Sequence, residues 1–212
     1  MTTSNPKTDT PGRVLVLGGT GKTGRRVAAG LQSLGIPVRI GSRNETPSFN
    51  WDDEAGWGAC LEGVEAVYIT YAPDLAMPGA TDAIQALVDR AKHVGVRRLV
   101  LLSGRGEPEA QACEGIVQQS GLEWTVVRAS WFFQNFSEGA FLEMVRAGTI
   151  TLPAGDVPEP FVDVDDIAEV ARLYEEKLED RDRAFVLYSE AFTHAPDKNE
   201  LRDKVEALAE QL

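Results

Sequence analysis

The feature that most constrains this chain is a glycine triplet set between two apolar segments of different period. Residues 14–27 read VLVLGGTGKTGRRV. Arg13–Leu17 is a short aliphatic and β-branched run that stops at glycine, the pattern of a buried strand. From Lys22 to Leu34 the apolar residues Val27, Ala28, Leu31 and Leu34 recur at helical spacing, and Gly35 ends the segment. A strand that turns sharply into a helix is the opening unit of an α/β fold.

The rest of the chain repeats that unit. Pro37–Ser42 (PVRIGS) reads as a second strand, and Phe49–Trp51 is expected to form a short third one. Residues 53–62 read as helix, and Ala66–Tyr71 (AVYITY) as a fourth strand. Gly79–Val94 is amphipathic, with Ile84, Leu87, Val88 and Ala91 on one face. Arg98–Ser103, a helix over Glu109–Ser120, and Trp124–Arg128 follow as fifth strand, helix and sixth strand. Strands alternating with helices predict a parallel sheet, and their continuous apolar runs predict cover on both faces. The predicted class is therefore α/β, a doubly wound parallel sheet. Beyond Arg128 come the aromatic stretch ASWFFQNF, a helix around Glu138–Arg146 and a strand-like turn region, ITLPAGDVPEPFVDV. Asp165 is expected to cap the helix that begins DIAEVARLYEEKL.

Gly18, Gly21 and Gly24 form G-x-x-G-x-x-G directly after the first strand. Such a loop brings backbone N–H groups to a pyrophosphate and aims a helix N-terminus at it. Thr20, Lys22 and Thr23 add hydroxyl and ammonium donors at the rim. The strand before, the helix after and the second strand beyond are the context that the dinucleotide fingerprint requires. At the end of the second strand, an acid would accept from both ribose hydroxyls of NAD, whereas a cation would meet the 2′-phosphate of NADP. The chain has Ser42 and Arg43 there, and a guanidinium matches a phosphate in charge and fork geometry. NADP(H) is favoured over NAD(H); Glu45, two residues on, keeps the second reading open.

Composition narrows the function classes. The 33 acidic against 21 basic side chains give a formal net charge of −12, which disfavours nucleic acid as a partner. Cys60 and Cys113 make no disulfide framework, and with His93 and His194 the only histidines, no metal site is expected. The polar residues 1–12 read as a disordered arm without a secretory apolar run, and no segment approaches a membrane span. The expected setting is the cytoplasm.

Several blocks in order resemble the NmrA-like family, a branch of the atypical short-chain dehydrogenase/reductase superfamily. They are LVLGGTGKTGRRVAAGLQSLGIPVRIGSRN, FNWDDEAGW, GVEAVYITYAPDL, GVRRLVLLSGRG, GLEWTVVRASWFFQNF and FVDVDDIAEVA. The resemblance covers about residues 13–171 and implies an NAD(P)-binding Rossmann domain over that span. By position it implies Gly18 to Gly24 on the pyrophosphate and Arg43 near the adenosine ribose, with Asp52 a further candidate at the adenine end. Thr70, Tyr71 and Ala72 would line the cofactor, and Ser103 and Gly104 its nicotinamide end. Ser130, Trp131, Phe132, Phe133 and Asn135 would lie between nicotinamide and substrate. The aromatic run, with Phe136, reads either as a wall for a flat acceptor or as satellite core, and the wall is the preferred reading.

Many reductases of that superfamily place Tyr-x-x-x-Lys on the helix after the fifth strand, where lysine lowers the tyrosine pKa for proton transfer. Here the region reads GRGEPEAQACEGIVQQ, with neither Tyr nor Lys. Glu114 occupies a family-like glutamate position, while Ala110 stands where relatives often carry lysine. Tyr71 and Ser103 remain as candidate catalytic donors. Two functions follow: an NADP(H)-dependent oxidoreductase reducing a small aromatic, quinone-like or azo acceptor by hydride transfer, or a non-catalytic NADP(H)-binding redox sensor or interaction protein. Residues 172–212 are expected to be a helical tail, shorter than the family's substrate lid. FVLYSE and NELRDKVEALAEQL there read either as a strand and closing helix of the lid or as part of a helical-repeat unit. In the second reading Ala184, Tyr188, Ala191 and Pro196 fall at the spacing of a tetratricopeptide repeat's second helix, and the unit packs on the Rossmann core or on a protein partner.

Overall fold

The computed structural model describes residues 12–139, 141–151 and 160–168. The tail over 172–212, its repeat-like pattern and all of the N-terminal arm but Gly12 lie outside those residues. Five parallel strands form the central sheet: β1 (Val14–Leu17), β2 (Val38–Gly41), β3 (Ala66–Ile69), β4 (Arg98–Gly104) and β5 (Glu123–Ala129). Their order is β2-β1-β3-β4-β5. The order reverses between β1 and β3, and ligands bind at such switch points beyond the carboxyl ends of the strands.

The helices are α1 (Lys22–Ser33), α2 (Trp57–Leu61), α3 (Ala80–His93) and α4 (Pro108–Gln118). Alternate side chains of each strand enter two separate cores, one per sheet face. Leu15, Leu17, Val67, Ile69, Leu99 and Leu101 pack with Trp57, Ile84, Leu87, Cys113 and Val117 from α2, α3 and α4. Val14, Val16, Tyr68, Val100 and Val127 pack with Val27, Ala28 and Leu31 of α1 and with Val164, Ile167 and Ala168. Both faces are covered, so the strands carry apolar residues throughout and alternation is lost. Five of the six expected strands thus form the doubly wound α/β sheet.

The expected strand at Phe49–Trp51 is not formed. Residues 48–50 are irregular and turn at Trp51. Here the apolar residues serve packing between loops rather than a ladder. Phe49 stacks on Trp57 at 5.5 Å, and its N–H donates to the Ser42 carbonyl at 3.0 Å. Trp51 Nε1 donates to the Thr70 carbonyl at 3.2 Å, and Trp57 Nε1 to Asn50 at 2.7 Å.

Beyond β5, a small parallel pair forms from β6 (Trp131–Phe132) and β7 (Phe161–Val162). Between them α5 spans Leu142–Arg146, shorter than the helix expected from Glu138, because the chain turns at Gly139. The helix that follows β7 begins at Val164, not Asp166. Its cap is Asp163, whose Oδ1 accepts from the Asp165 N–H at 2.8 Å. Asp165, the cap expected from sequence, instead accepts from Arg26 Nε at 2.6 Å. Among the described residues, no helix is long and apolar enough to cross a membrane.

Candidate functional site

Gly18, directly after β1, is in the left-handed region at φ 64°, where a side chain would be strained. Thr70, just past β3, donates its hydroxyl to the Leu17 carbonyl at 2.9 Å and occupies the space that a Gly18 Cβ would need. A Cβ on Gly24 would overlap the Gly18 carbonyl. The triplet therefore lets α1 pack directly over the end of β1. Gly21 caps α1 without any side-chain bond, and the first turn holds no acid. Its unpaired N–H groups and the positive end of the helix dipole form a cradle for an anion.

This cradle opens into a cleft of about 1300 Å³ along the carboxyl edge of the sheet. Gly18, Thr20, Gly21, Lys22 and Thr23 line it beside Ser42 and Arg43 from the end of β2. Thr70, Tyr71, Ala72, Ser103, Gly104, Ser130, Trp131, Phe132 and Asn135 line it too, as does Asp52. Most residues singled out from sequence thus share one cavity. Gly24 and Phe133 do not line it: Gly24 is buried against Gly18, and Phe133 is 6% exposed and packs on Phe161 at 5.6 Å.

The aromatic run divides between the two roles expected of it. Trp131 is 40% exposed and stacks on Phe141 at 5.7 Å, and both line the cleft with Phe132. Phe133 and Phe136 lie buried beneath, each against Phe161. Distant contacts hold this loop to the glycine-loop helix. Lys22 Nζ donates to Asn135 Oδ1 at 2.9 Å, and Arg25 and Arg26 both donate to Glu138. Those bonds hold the Glu138 carboxyl below the usual carboxylate range, the Arg26 hydrogen bond foremost. Gln134 donates to Asp163 at 2.8 Å and accepts from the Val164 N–H, joining the same loop to the segment after β7.

Behind the β4 end lies a buried charge pair. Glu114 of α4 is 2% exposed and accepts from Arg128 Nε at 2.8 Å and from the Ser103 hydroxyl at 2.6 Å. A serine has one proton, and Ser103 commits it to a carboxylate. Ser103 therefore offers the cleft an acceptor lone pair. Tyr71 packs its ring against Trp51 at 4.9 Å.

Sequence reasoning passed over Asn50, Trp51, Asp74, Arg105, Glu107 and Phe141, all of which line the cleft. Glu107 stands at the N-cap of α4 immediately before Pro108, and proline at a helix start is the signal that could have located it. Burial first, then the charges of Asp74 and Glu109, push its carboxyl above the ordinary range. Gly104 has no Cβ, and the Glu107 carboxylate fills the space one would need.

Residues 18–172 match the profile of a family described as NAD(P)H-binding. The chain belongs to the NAD(P)H-binding family. Among curated relatives of this member, the oxidoreductase YesF of Bacillus subtilis is 33% identical over 169 residues, 74% of this chain and 58% of YesF. Agroclavine dehydrogenase of Claviceps fusiformis is 33% identical over 176 residues, 74% of this chain and 61% of that one. The NAD(P)H azoreductase of Xenophilus azovorans is 28% identical over 183 residues, with the same coverages of 74% and 61%. The chain thus spans about three fifths of the length of these relatives. Among solved structures, Bordetella bronchiseptica WbmG in complex with NAD superposes with a TM-score of 0.67 at 14% identity, covering 98% of this chain and 80% of WbmG. That likeness establishes the Rossmann-like fold of this family member.

Proposed function

We propose that this chain is an NADP(H)-dependent oxidoreductase that reduces a small aromatic, quinone-like or azo acceptor by hydride transfer. The observation that carries this reading is a single cleft joining the glycine loop and Arg43 to the aromatics Trp131, Phe132 and Phe141 that line it. The names of the clavine dehydrogenase and the azoreductase among its relatives support the same reaction class.

In this reading the first turn of α1, with Thr20, Lys22 and Thr23, holds the pyrophosphate. Ser42 and Arg43 hold the 2′-phosphate. Arg43 lines the cleft and Glu45 does not, which supports NADP(H) over NAD(H). Asn50, Trp51 and Asp52 surround the adenine end, while Thr70, Tyr71 and Ala72 lie along the middle. Ser103, Gly104 and Ser130 border the nicotinamide, and Ser103 accepts from its carboxamide. The reduced nicotinamide, when bound, supplies the hydride. The protein orients a flat acceptor against Trp131 and Phe141 and excludes water from one side of it. Two buried free thiols, Cys60 and Cys113, accord with a reducing cytoplasm.

Isothermal titration tests the cofactor assignment. NADPH is expected to bind about ten- to a hundredfold more tightly than NADH, the range for a charge-assisted bond. Arg43→Ala is expected to erase the difference, and equal affinities in the wild type would overturn it. An NADPH-oxidation screen over quinones, azo dyes and enones tests the chemistry. Clear binding with no turnover would replace this reading with the NADP(H)-binding sensor.

A further inference from the structure

We propose that Glu107 is the proton donor of the reduction, a role that rests on the oxidoreductase reading above. Hydride transfer to a quinone or azo group leaves an anion that takes up a proton, which an acid at the β4 end of the cleft would deliver faster than water. The helix that usually supplies it, here Pro108–Gln118, contains neither Tyr nor Lys. Ser103 is occupied by Glu114. Tyr71 is packed against Trp51.

Glu107 meets the geometric requirement. Its carboxylate lies on Gly104, the last residue of β4, and it lines the same cleft as Ser103, Ser130 and Trp131. It makes no cap hydrogen bond to α4, and among the described residues no ion pair or side-chain hydrogen bond ties it elsewhere. The charges that act on it are Asp74 from the loop after β3 and Glu109 in the first turn of α4, and Arg105 also lines the cleft. Burial and the two acids favour the neutral carboxyl, the direction that a general acid requires.

The step balances as follows. The acceptor takes hydride, hence two electrons, from the reduced nicotinamide dinucleotide, which is oxidised. The Glu107 O–H bond breaks as a new O–H or N–H bond forms on the acceptor, and water later reprotonates the carboxylate. An iminium acceptor needs no such proton, because hydride alone converts it to a neutral amine.

Glu107→Gln tests this in two ways. In the cofactor-free protein, a raised folded pKa means that stability is lost as pH rises through it. Glu107→Gln is therefore expected to melt at a higher temperature than wild type near pH 7 and at the same temperature near about pH 4, below the ordinary carboxylate value. In turnover, the variant is expected to lose about a hundredfold or more in kcat with a quinone or azo dye. It should also lose the alkaline limb of the pH profile. NADPH affinity and turnover of a preformed iminium should stay near wild type. Asp74→Asn should move the alkaline limb to lower pH, since it removes one of the repelling charges.

Unchanged quinone turnover in Glu107→Gln overturns the proposal and leaves the oxidoreductase standing. Equal loss with quinone and iminium also overturns it, because the role is then structural. A wild-type protein that binds NADPH but reduces no acceptor overturns both readings together.

Discussion

At the β1–β2 end of the cleft, much of the lining comes from short local runs: residues 18 and 20–23 after β1 and residues 41–44 at the end of β2. At the β4–β5 end it comes from loops joined across the chain, such as Lys22 with Asn135 at a separation of 113 residues. The first end is a strand–turn–helix unit whose geometry is local and whose glycines answer local steric needs. The second rests on ion pairs and a hydrogen bond between different segments: Glu114 with Arg128, Glu138 with Arg25 and Arg26, Gln134 with Asp163. A cofactor cradle can be specified by a dozen residues, whereas an acceptor site is as well ordered as the contacts that gather it.

This contrast can be broken by substitution. The largest effect is expected for Glu114→Ala, which removes a buried carboxylate from Arg128 and Ser103. It should cost about 3–5 kcal/mol in denaturant unfolding. A loss under about 1 kcal/mol would show that the pair is not a structural support of the β4 end. Gly24→Val comes next, because its side chain meets the Gly18 backbone, which cannot move aside cheaply. A stability cost of about 1–3 kcal/mol is expected. At least a tenfold loss of NADPH affinity should accompany it, and undiminished affinity would mean that the cradle tolerates a displaced α1.

Trp131→Ala sharpens the comparison from the other side. The ring is half-exposed, so folding stability should hardly change, while kcat/KM for an aromatic acceptor falls about tenfold, the worth of one ring stack. NADPH affinity should not move; if it does, the two ends are not separable. Glu138→Gln has the smallest expected effect, about 1 kcal/mol or less at neutral pH. Glu138 is held below its ordinary pKa, so wild type owes stability to it above that ordinary value. The advantage is lost as pH falls through the depressed value. Unfolding curves near pH 7 and in acid should therefore converge at low pH.

Apolar period located all five strands of the sheet but could not distinguish a strand from aromatic loop packing at Phe49–Trp51. There the hydrogen-bonding edge of β2 is not extended, and the rings fill space above α2 instead. Local chemistry pointed to an aspartate cap before the last described helix, yet three aspartates stand within four residues, 163–166. Which of them caps depends on Gln134, about thirty residues upstream, binding both Asp163 and the Val164 N–H. Glu107 and Asp74 were passed over for a similar reason. Each is an ordinary surface acid in sequence, and their mutual repulsion exists only once β3 and β4 lie side by side.

By itself the sequence determined the doubly wound sheet, the glycine cradle and the cationic end of β2. Those features rest on steric and periodic rules that act within a few residues. The tertiary structure alone decided how the aromatic run divides between wall and core. It also committed the Ser103 proton to Glu114 and brought the Glu107 carboxyl to the end of β4. Burial and charge repulsion are properties of what surrounds a group, and those surroundings are assembled from distant parts of the chain.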